Sequence, residues 1–204
     1  MKKIAFLVLI AGLLNGCLSL PPLEVAGYTP PGQSAEQVGT VAVYRLLKYS
    51  GKIEPVHLAV LADENGNTIL LTKAEETGEL SIYLAEAARQ ALLANLYKTR
   101  KLGAETETAS ADSEVNVGTV VSNLIPNVQN SIRVSYVFRE YGQSWACLLD
   151  LSGYDRATIL TAHMGIPEGR RNMRLILSPE ALNELLNLVE QAPHLSPKAS
   201  MIEE

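Results

Sequence analysis

The chain predicts an α+β fold: a mainly antiparallel sheet with two helices packed on one face. Three observations carry that expectation. Residues 132–151 alternate apolar and polar side chains on both sides of a glycine, the pattern of a half-buried hairpin. Residues 57–62 and 68–73 are apolar runs flanking Asn65-Gly66, the strongest short-range hairpin signal because both turn positions favour positive φ. Two amphipathic stretches, one mid-chain and one near the C-terminus, have helical spacing. Strands come in runs that end in a helix, three before the first helix and five before the second. That order favours an antiparallel sheet with helices covering one face over a parallel βαβ arrangement.

Taken in order, the chain opens on MKKIAFLVLIAGLLNGC. Lys2 and Lys3 form a positive lead, and Ile4 to Leu14 is an apolar run of the length of a signal-peptide core, short for a bilayer span. Leu14-Asn15-Gly16-Cys17 resembles the lipobox of bacterial lipoproteins: an aliphatic residue three before the cysteine and a small one just before it. Asn15 departs from the small or aliphatic residue usual at its place. The resemblance implies cleavage before Cys17, acylation of its thiol with palmitate-like chains, and a lipid anchor strong enough to hold because several chains are buried. Leu18 stands where lipoproteins retained in the inner membrane carry Asp, so the resemblance implies the outer membrane, facing the periplasm.

Residues 1–16 are thus expected as a signal peptide and 17–37 as lipidated Cys17 plus a spacer. Pro21, Pro22, Pro30 and Pro31 make that spacer extended, with a reach of about 60 Å at polyproline rise. A single globular domain is expected over 38–192 and a flexible tail over 193–204.

Val41 to Tyr44 reads as the first strand. The Asn65-Gly66 hairpin follows, with Leu58, Val60, Ala62, Ile69 and Leu71 set on one face by a two-residue loop. Leu80 to Leu102 reads as a helix with Leu84, Ala88, Ala91, Leu92 and Leu96 as its stripe. Lys98, Arg100 and Lys101 sit in its last turn, and Gly103 ends it. Ala104 to Glu114 is an acidic loop and Val115 to Val121 a strand, with a turn near Pro126. Folding 132–151 about Tyr141-Gly142 pairs Phe138 with Trp145, Tyr136 with Cys147, Val134 with Leu149 and Ile132 with Leu151. The same register sets Arg133 opposite Asp150 on the other face. Thr158 to Met164 and Asn172 to Leu177 read as two more strands. Ser178, Pro179 and Glu180 are a helix-start signature, followed by the stripe Leu182, Leu185, Leu186 and Val189. Pro193 and Pro197 stop that helix.

The formal charge is −5, and loss of residues 1–16 leaves 15 basic against 22 acidic residues. That balance argues against nucleic acid as a partner. With Cys17 lipidated, Cys147 has no disulfide partner, and its place among alternating apolar residues predicts a buried thiol. Ser144, Asp150 and His163 occur in α/β-hydrolase order, and Gly142-Gln143-Ser144-Trp145-Ala146 approaches the nucleophile elbow. The serine, however, opens a hairpin strand rather than a strand-to-helix turn. His57, His163 and His194 lack metal-ligand spacing, so no metal and no cofactor is expected. Arg156, Arg170, Arg171 and Arg174 form a candidate positive binding patch. Trp145, the lone tryptophan, reads as core rather than as a ligand platform.

Two function classes remain. The first is a non-catalytic envelope lipoprotein, a binding or assembly module held to the membrane by its N-terminal lipid, with an envelope protein or cell-wall component as partner. The second is an envelope hydrolase or ligand-binding enzyme whose site is gathered from dispersed loops.

Overall fold

The computed structural model describes residues 35–47, 50–74, 78–105, 114–125, 128–138, 145–155, 158–159 and 169–195. Eight strands form one antiparallel sheet: β1 (Glu36–Leu46), β2 (Ile53–Ala62), β3 (Thr68–Ala74), β4 (Gly78–Leu84), β5 (Val115–Ile125), β6 (Val128–Phe138), β7 (Trp145–Gly153) and β8 (Arg171–Leu177). Helix α1 (Glu86–Glu105) follows β4, and α2 (Pro179–Gln191) follows β8 before a 3₁₀ turn at Ala192–Leu195. The strand order is β4-β3-β2-β1-β8-β7-β6-β5. Each half is therefore a four-stranded meander plus a helix. The halves join through three residue pairs between β1 and β8, from Tyr44 opposite Ile176 to Leu46 opposite Arg174.

This corrects the expected α+β class with two helices on one face. The fold is mainly β, one eight-stranded antiparallel sheet with two helices that contribute to its core. Although β4 and β5 lie at opposite ends of the strand order, β4 meets β5, β6, β7 and β8 across the interior. An isolated bridge joins Ser81 of β4 to Tyr154, with the Ser81 amide donating to the Tyr154 carbonyl at 2.9 Å. Gly153 permits that approach. A Cβ there would lie 2.7 Å from Ile82 Cδ1 and 2.8 Å from the Ser81 carbonyl oxygen, closer than real side chains come. The inward faces of both halves supply one cluster with Leu92 and Leu96 of α1 and Leu182, Leu185 and Leu186 of α2. Each such side chain contributes about 1.5–3 kcal/mol on leaving water.

The 132–151 hairpin has the register its alternation predicts. Phe138 faces Trp145, Tyr136 faces Cys147, Val134 faces Leu149, Ile132 faces Leu151 and Arg133 faces Asp150. Its turn, with Tyr141, Gly142 and Ser144, lies outside the described residues. The start of α2 also forms as read: Ser178 Oγ accepts from the Ala181 amide at 3.2 Å, and Leu182, Leu185, Leu186 and Val189 are buried.

Five expectations change. Leu80 to Leu84 is strand, not the start of a helix. Leu80, Ile82 and Leu84 pair with Thr72, Leu70 and Thr68 and enter the main core, while Tyr83 is buried on the opposite face. A strand buried on both faces has no alternation, and by periodicity it is indistinguishable from a buried helical turn. Gly103 does not end α1, which runs on to Glu105. Ala91 is exposed, and the buried face of α1 is Arg89, Leu92, Leu93, Leu96 and Thr99.

The β2–β3 hairpin is one residue out of the expected register, with Ala62 opposite Thr68 and Val60 opposite Leu70. Asp63 sets this. Its Oδ1 accepts from the Asn65 and Asn67 amides at 2.9 and 2.8 Å, and Gly66 closes the turn at φ 78° with its amide donating to the Asp63 carbonyl. The loop is therefore longer than the two residues Asn65-Gly66, and Ile69 and Leu71 move to the outer face. Finally, the strand expected at 158–164 is absent where it is described. Thr158 and Ile159 are helical, and the Thr158 amide donates to Asp155 Oδ1 at 2.8 Å; residues 160–168 lie outside the described residues.

The two helices are tied to one another by side chains. Arg89, near the start of α1, is buried and donates at 3.3 Å to the Val189 carbonyl in the last turn of α2, where the helix dipole favours a cation. The same guanidinium grips Glu86, whose carboxyl it holds below the usual carboxylate range. Further along, the Tyr97 hydroxyl bonds the Glu190 carboxylate and Arg100 lies 4.7 Å over the Tyr97 ring.

Candidate functional site

Of the four arginines of the expected patch, the three among the described residues do not assemble. Arg156 lies outside the described residues. Arg171 and Arg174 are three apart on β8, and strand geometry sends them to opposite faces. Arg171 follows the inward parity of Met173 and Leu175. It donates to the Glu79 carbonyl at 3.1 Å and pairs with Asp155 at 3.0 Å, so its charge secures β4 to the end of β7. Arg174 points outward and holds Asp150 through two bonds, Nε to Oδ1 at 2.6 Å and Nη2 to Oδ2 at 2.9 Å. Arg170 donates to the Ser152 hydroxyl at 2.8 Å.

Asp150 is the centre of a four-member network on the outer face of β6, β7 and β8. Arg133 reaches its Oδ2 at 2.6 Å, and Glu114 at the entry to β5 meets Arg174 at 3.2 Å and Arg133 at 3.3 Å. Two positive and two negative groups balance. Burial by itself would raise the Asp150 carboxyl, but hydrogen bonds and charge from Arg174 and then Arg133 outweigh it. The carboxyl is held below its ordinary range. The Asp150 carboxylate in turn pushes Arg174 further up. Such a carboxylate is a poor proton acceptor, and its lone pairs are already occupied.

Cys147 is fully buried between β6 and β8. Burial pushes its thiol up to about 12, against the opposing hydrogen bond with Thr99 of α1. At neutral pH it is therefore a protonated, packed group rather than a nucleophile. Trp145 packs tilted against Tyr136 with ring centroids 6.0 Å apart and abuts Gly103, as a core role requires. His57 is exposed on the outer face of β2, and His194 is exposed in the 3₁₀ turn; His163 and Ser144 lie outside the described residues. Among the described residues no group of three or more His, Cys, Asp or Glu side chains is arranged to hold a metal ion. Nor is any described helix long and apolar enough to cross a membrane.

One surface that the sequence reading passed over has shape. On the outer face of β2 and β3 lies an open groove of about 570 Å³ whose lining includes Glu54, Pro55, His57, Ala59, Leu71 and Lys73. Tyr44 lies opposite Pro55 on β1 and is 48% exposed, and Ile53 at the entry to β2 is 45% exposed. The signal was present in β1, where Ala42 and Tyr44 alternate with buried Val41 and Val43 and so must face outward. The hairpin slip hid the rest, because it assigned Leu71 to the core.

No protein-family model matches the chain, and no curated protein matches it. Two solved structures share a loose likeness. One is SsgB, whose mutations correlate to longitudinal cell division during sporulation of Streptomyces coelicolor. It is 11% identical, covers 87% of this chain and 100% of its own, and has a TM-score of 0.38. The other is WHY3 from Arabidopsis thaliana, 8% identical, covering 83% of this chain and 85% of its own, with a TM-score of 0.31. At those scores neither likeness assigns a fold family or a function.

Proposed function

We propose that this chain is an envelope lipoprotein anchored through Cys17, with a mainly-β domain that serves as a non-catalytic binding or assembly module. The observation that carries the anchor is the leader itself: two lysines, an apolar run of signal-peptide length, and Leu14-Asn15-Gly16-Cys17. Supporting the non-catalytic half is the use to which the domain puts its reactive groups. The Cys147 thiol is buried, Asp150 is committed to two arginines, and Arg171 is a strut between strands. Outer-membrane attachment facing the periplasm is the destination that Leu18 favours. The test is Cys17→Ser in cells fed radioactive palmitate. The expected result is loss of label, accumulation of the unprocessed precursor and release from the lipid-anchored fraction. Unchanged label and processing would overturn the anchor.

A further inference from the structure

We infer that the β2–β3 groove is a docking site for this chain's own N-terminal segment, residues 18–29, ahead of β1. The lining joins apolar Pro55, Ala59 and Leu71 to Glu54, His57 and Lys73, so it carries both signs of charge. Glu54 is held by Arg45 at 2.7 Å, and Glu79 stands opposite Lys73 on β4. Charge therefore selects neither an acidic nor a basic occupant, and the apolar residues decide the chemistry. Tyr44 and Ile53, both exposed, extend that apolar surface along the outer face of β1 and β2. What fits is a nearly uncharged, aliphatic strip of chain.

The place where β1 begins says which strip that is. Ala35, just ahead of β1, packs against the outer cluster of Leu61, Ile69, Tyr83 and Tyr154, and so do Ala59 and Leu71 of the groove. The preceding segment therefore joins the fold beside the groove, on the same face of the sheet. Residues 18–34 hold Leu18, Leu20, Leu23, Val25 and Tyr28, and Glu24 is their only charged side chain. The C-terminal segment is a poorer match. Residues 196–204 carry Lys198, Glu203 and Glu204, and they follow a 3₁₀ turn whose Ala192 belongs to the inner core.

The segment is long enough. Ala59 stands opposite Thr40, so the groove begins about 16 Å along β1 from Ala35. Pro31-Gly32 is a turn dipeptide, placed where the chain must reverse to run back over the outer face. Beyond it, residues 18–29 reach about 37 Å at polyproline rise, enough to pass both Ala59 and Pro55. Pro21, Pro22 and Pro30 restrict the undocked segment, which lowers the cost of ordering it. The short connection to Ala35 keeps the local concentration at about the millimolar scale, so a weak contact suffices. With Leu23 and Val25 docked, residues 18–22 leave about 15 Å of free tether in place of about 60 Å. The groove then sets how far the domain stands from the membrane, a consequence that rests on the anchor proposed above, as the docking itself does not.

The experiment places Ala59→Cys in the full chain, held in phosphatidylcholine nanodiscs, and follows its labelling by a fluorescent maleimide, with the labelled residue located by mass spectrometry. Cys147 is buried and stays silent. Adding Leu23→Ser and Val25→Ser should speed labelling at residue 59 about tenfold, because two aliphatic contacts that offset the ordering of the segment are lost. Val121→Cys, on the outer face of β5 and 49% exposed, should label at one rate in both backgrounds. Thermal unfolding of each variant reports that it folds. Equal labelling of residue 59 with and without the two serines overturns the docking. Protection that falls on dilution also overturns it, since the occupant is then a second copy. A chain that is not acylated at Cys17 should show the same tenfold ratio, so loss of the anchor leaves the docking standing. Equal labelling in an acylated chain removes the docking and leaves the anchor.

Discussion

Gly103→Ala sets two effects of opposite sign against each other, and the geometry decides between them. Glycine inside a helix costs up to about 1 kcal/mol relative to alanine. At Gly103, two residues from the end of α1 at Glu105, the gain is smaller because that turn frays. Against it stands the indole of Trp145. A Cβ on residue 103 would lie 2.2 Å from Trp145 Cε2 and 2.5 Å from both Cδ2 and Cζ2. These are ring atoms, not the tip of a flexible chain. The ring is fixed by the pairing of Trp145 with Phe138 and by its packing on Tyr136. Overpacking of this kind costs about 1–3 kcal/mol. The net expectation is a loss of about 1–2 kcal/mol, or roughly 3–6 °C in Tm for a domain of this size. Urea unfolding followed by circular dichroism measures it. Emission from Trp145, the only tryptophan, reports the ring's displacement. In a Trp145→Leu background the same alanine should be neutral or mildly stabilising, giving a coupling energy of about 1–2 kcal/mol. A Gly103→Ala chain more stable than its parent, with unchanged emission, would refute the close-packing account.

Two further perturbations probe the charged network and the buried thiol. The Asp150 carboxyl is depressed in the folded state. Its stabilisation is therefore present above the ordinary carboxylate value of about 3.9 and is lost as pH falls through the lower folded value. Asp150→Asn should cost about 1–2 kcal/mol at pH 7, after allowance for partial exposure, and flatten the acid limb of the stability curve. An acid limb identical to the parent's would sink this assignment. In a Cys17→Ser chain, Cys147 should stay unreactive to a disulfide reagent until urea unfolds the domain, because its thiol is both enclosed and raised to about 12. Stoichiometric reaction in native buffer would contradict the burial.

What could be read from the sequence follows the arrangement of burial. In β6 and β7 one face is apolar and the other carries Arg133 and Asp150, so alternation alone determines every pair. The start of α2 was legible because Ser178 and Pro179 act locally, without help from the rest of the fold. Leu80 to Leu84 was not, because the sheet curls until β4 is covered on both sides and the polar half of the alternation disappears. The arginine group misled for a related reason. Proximity along 170–174 says nothing about faces until the strand is known, and β8 then sends Arg171 and Arg174 apart. Gly103 was read as a stop because glycine usually ends helices. Here its missing side chain serves a ring brought in from β7, 42 residues along the chain.

The hairpin slip shows how a single turn side chain reaches as far as function. A two-residue Asn65-Gly66 loop sets Ala62 opposite Ile69 and Val60 opposite Leu71, and by the same parity carries Lys73 onto the core face. Burying that ammonium without a partner costs several kcal/mol, far more than a turn type is worth. The observed register turns Thr68, Leu70, Thr72 and Ala74 inward and leaves Lys73 in water. The Asp63 carboxylate makes the longer turn available by accepting from two of its amides and from Asn67 Nδ2 at 2.9 Å. Lys73 is therefore both the constraint that rules out the shorter loop and, once outside, part of the groove lining. Ile69 and Leu71 move out with it. Ile69 is covered by Leu61 and Tyr83, whereas Leu71 remains partly open and joins the groove lining. The apolar surface left open at Leu71 is thus a consequence of keeping one lysine out of the core.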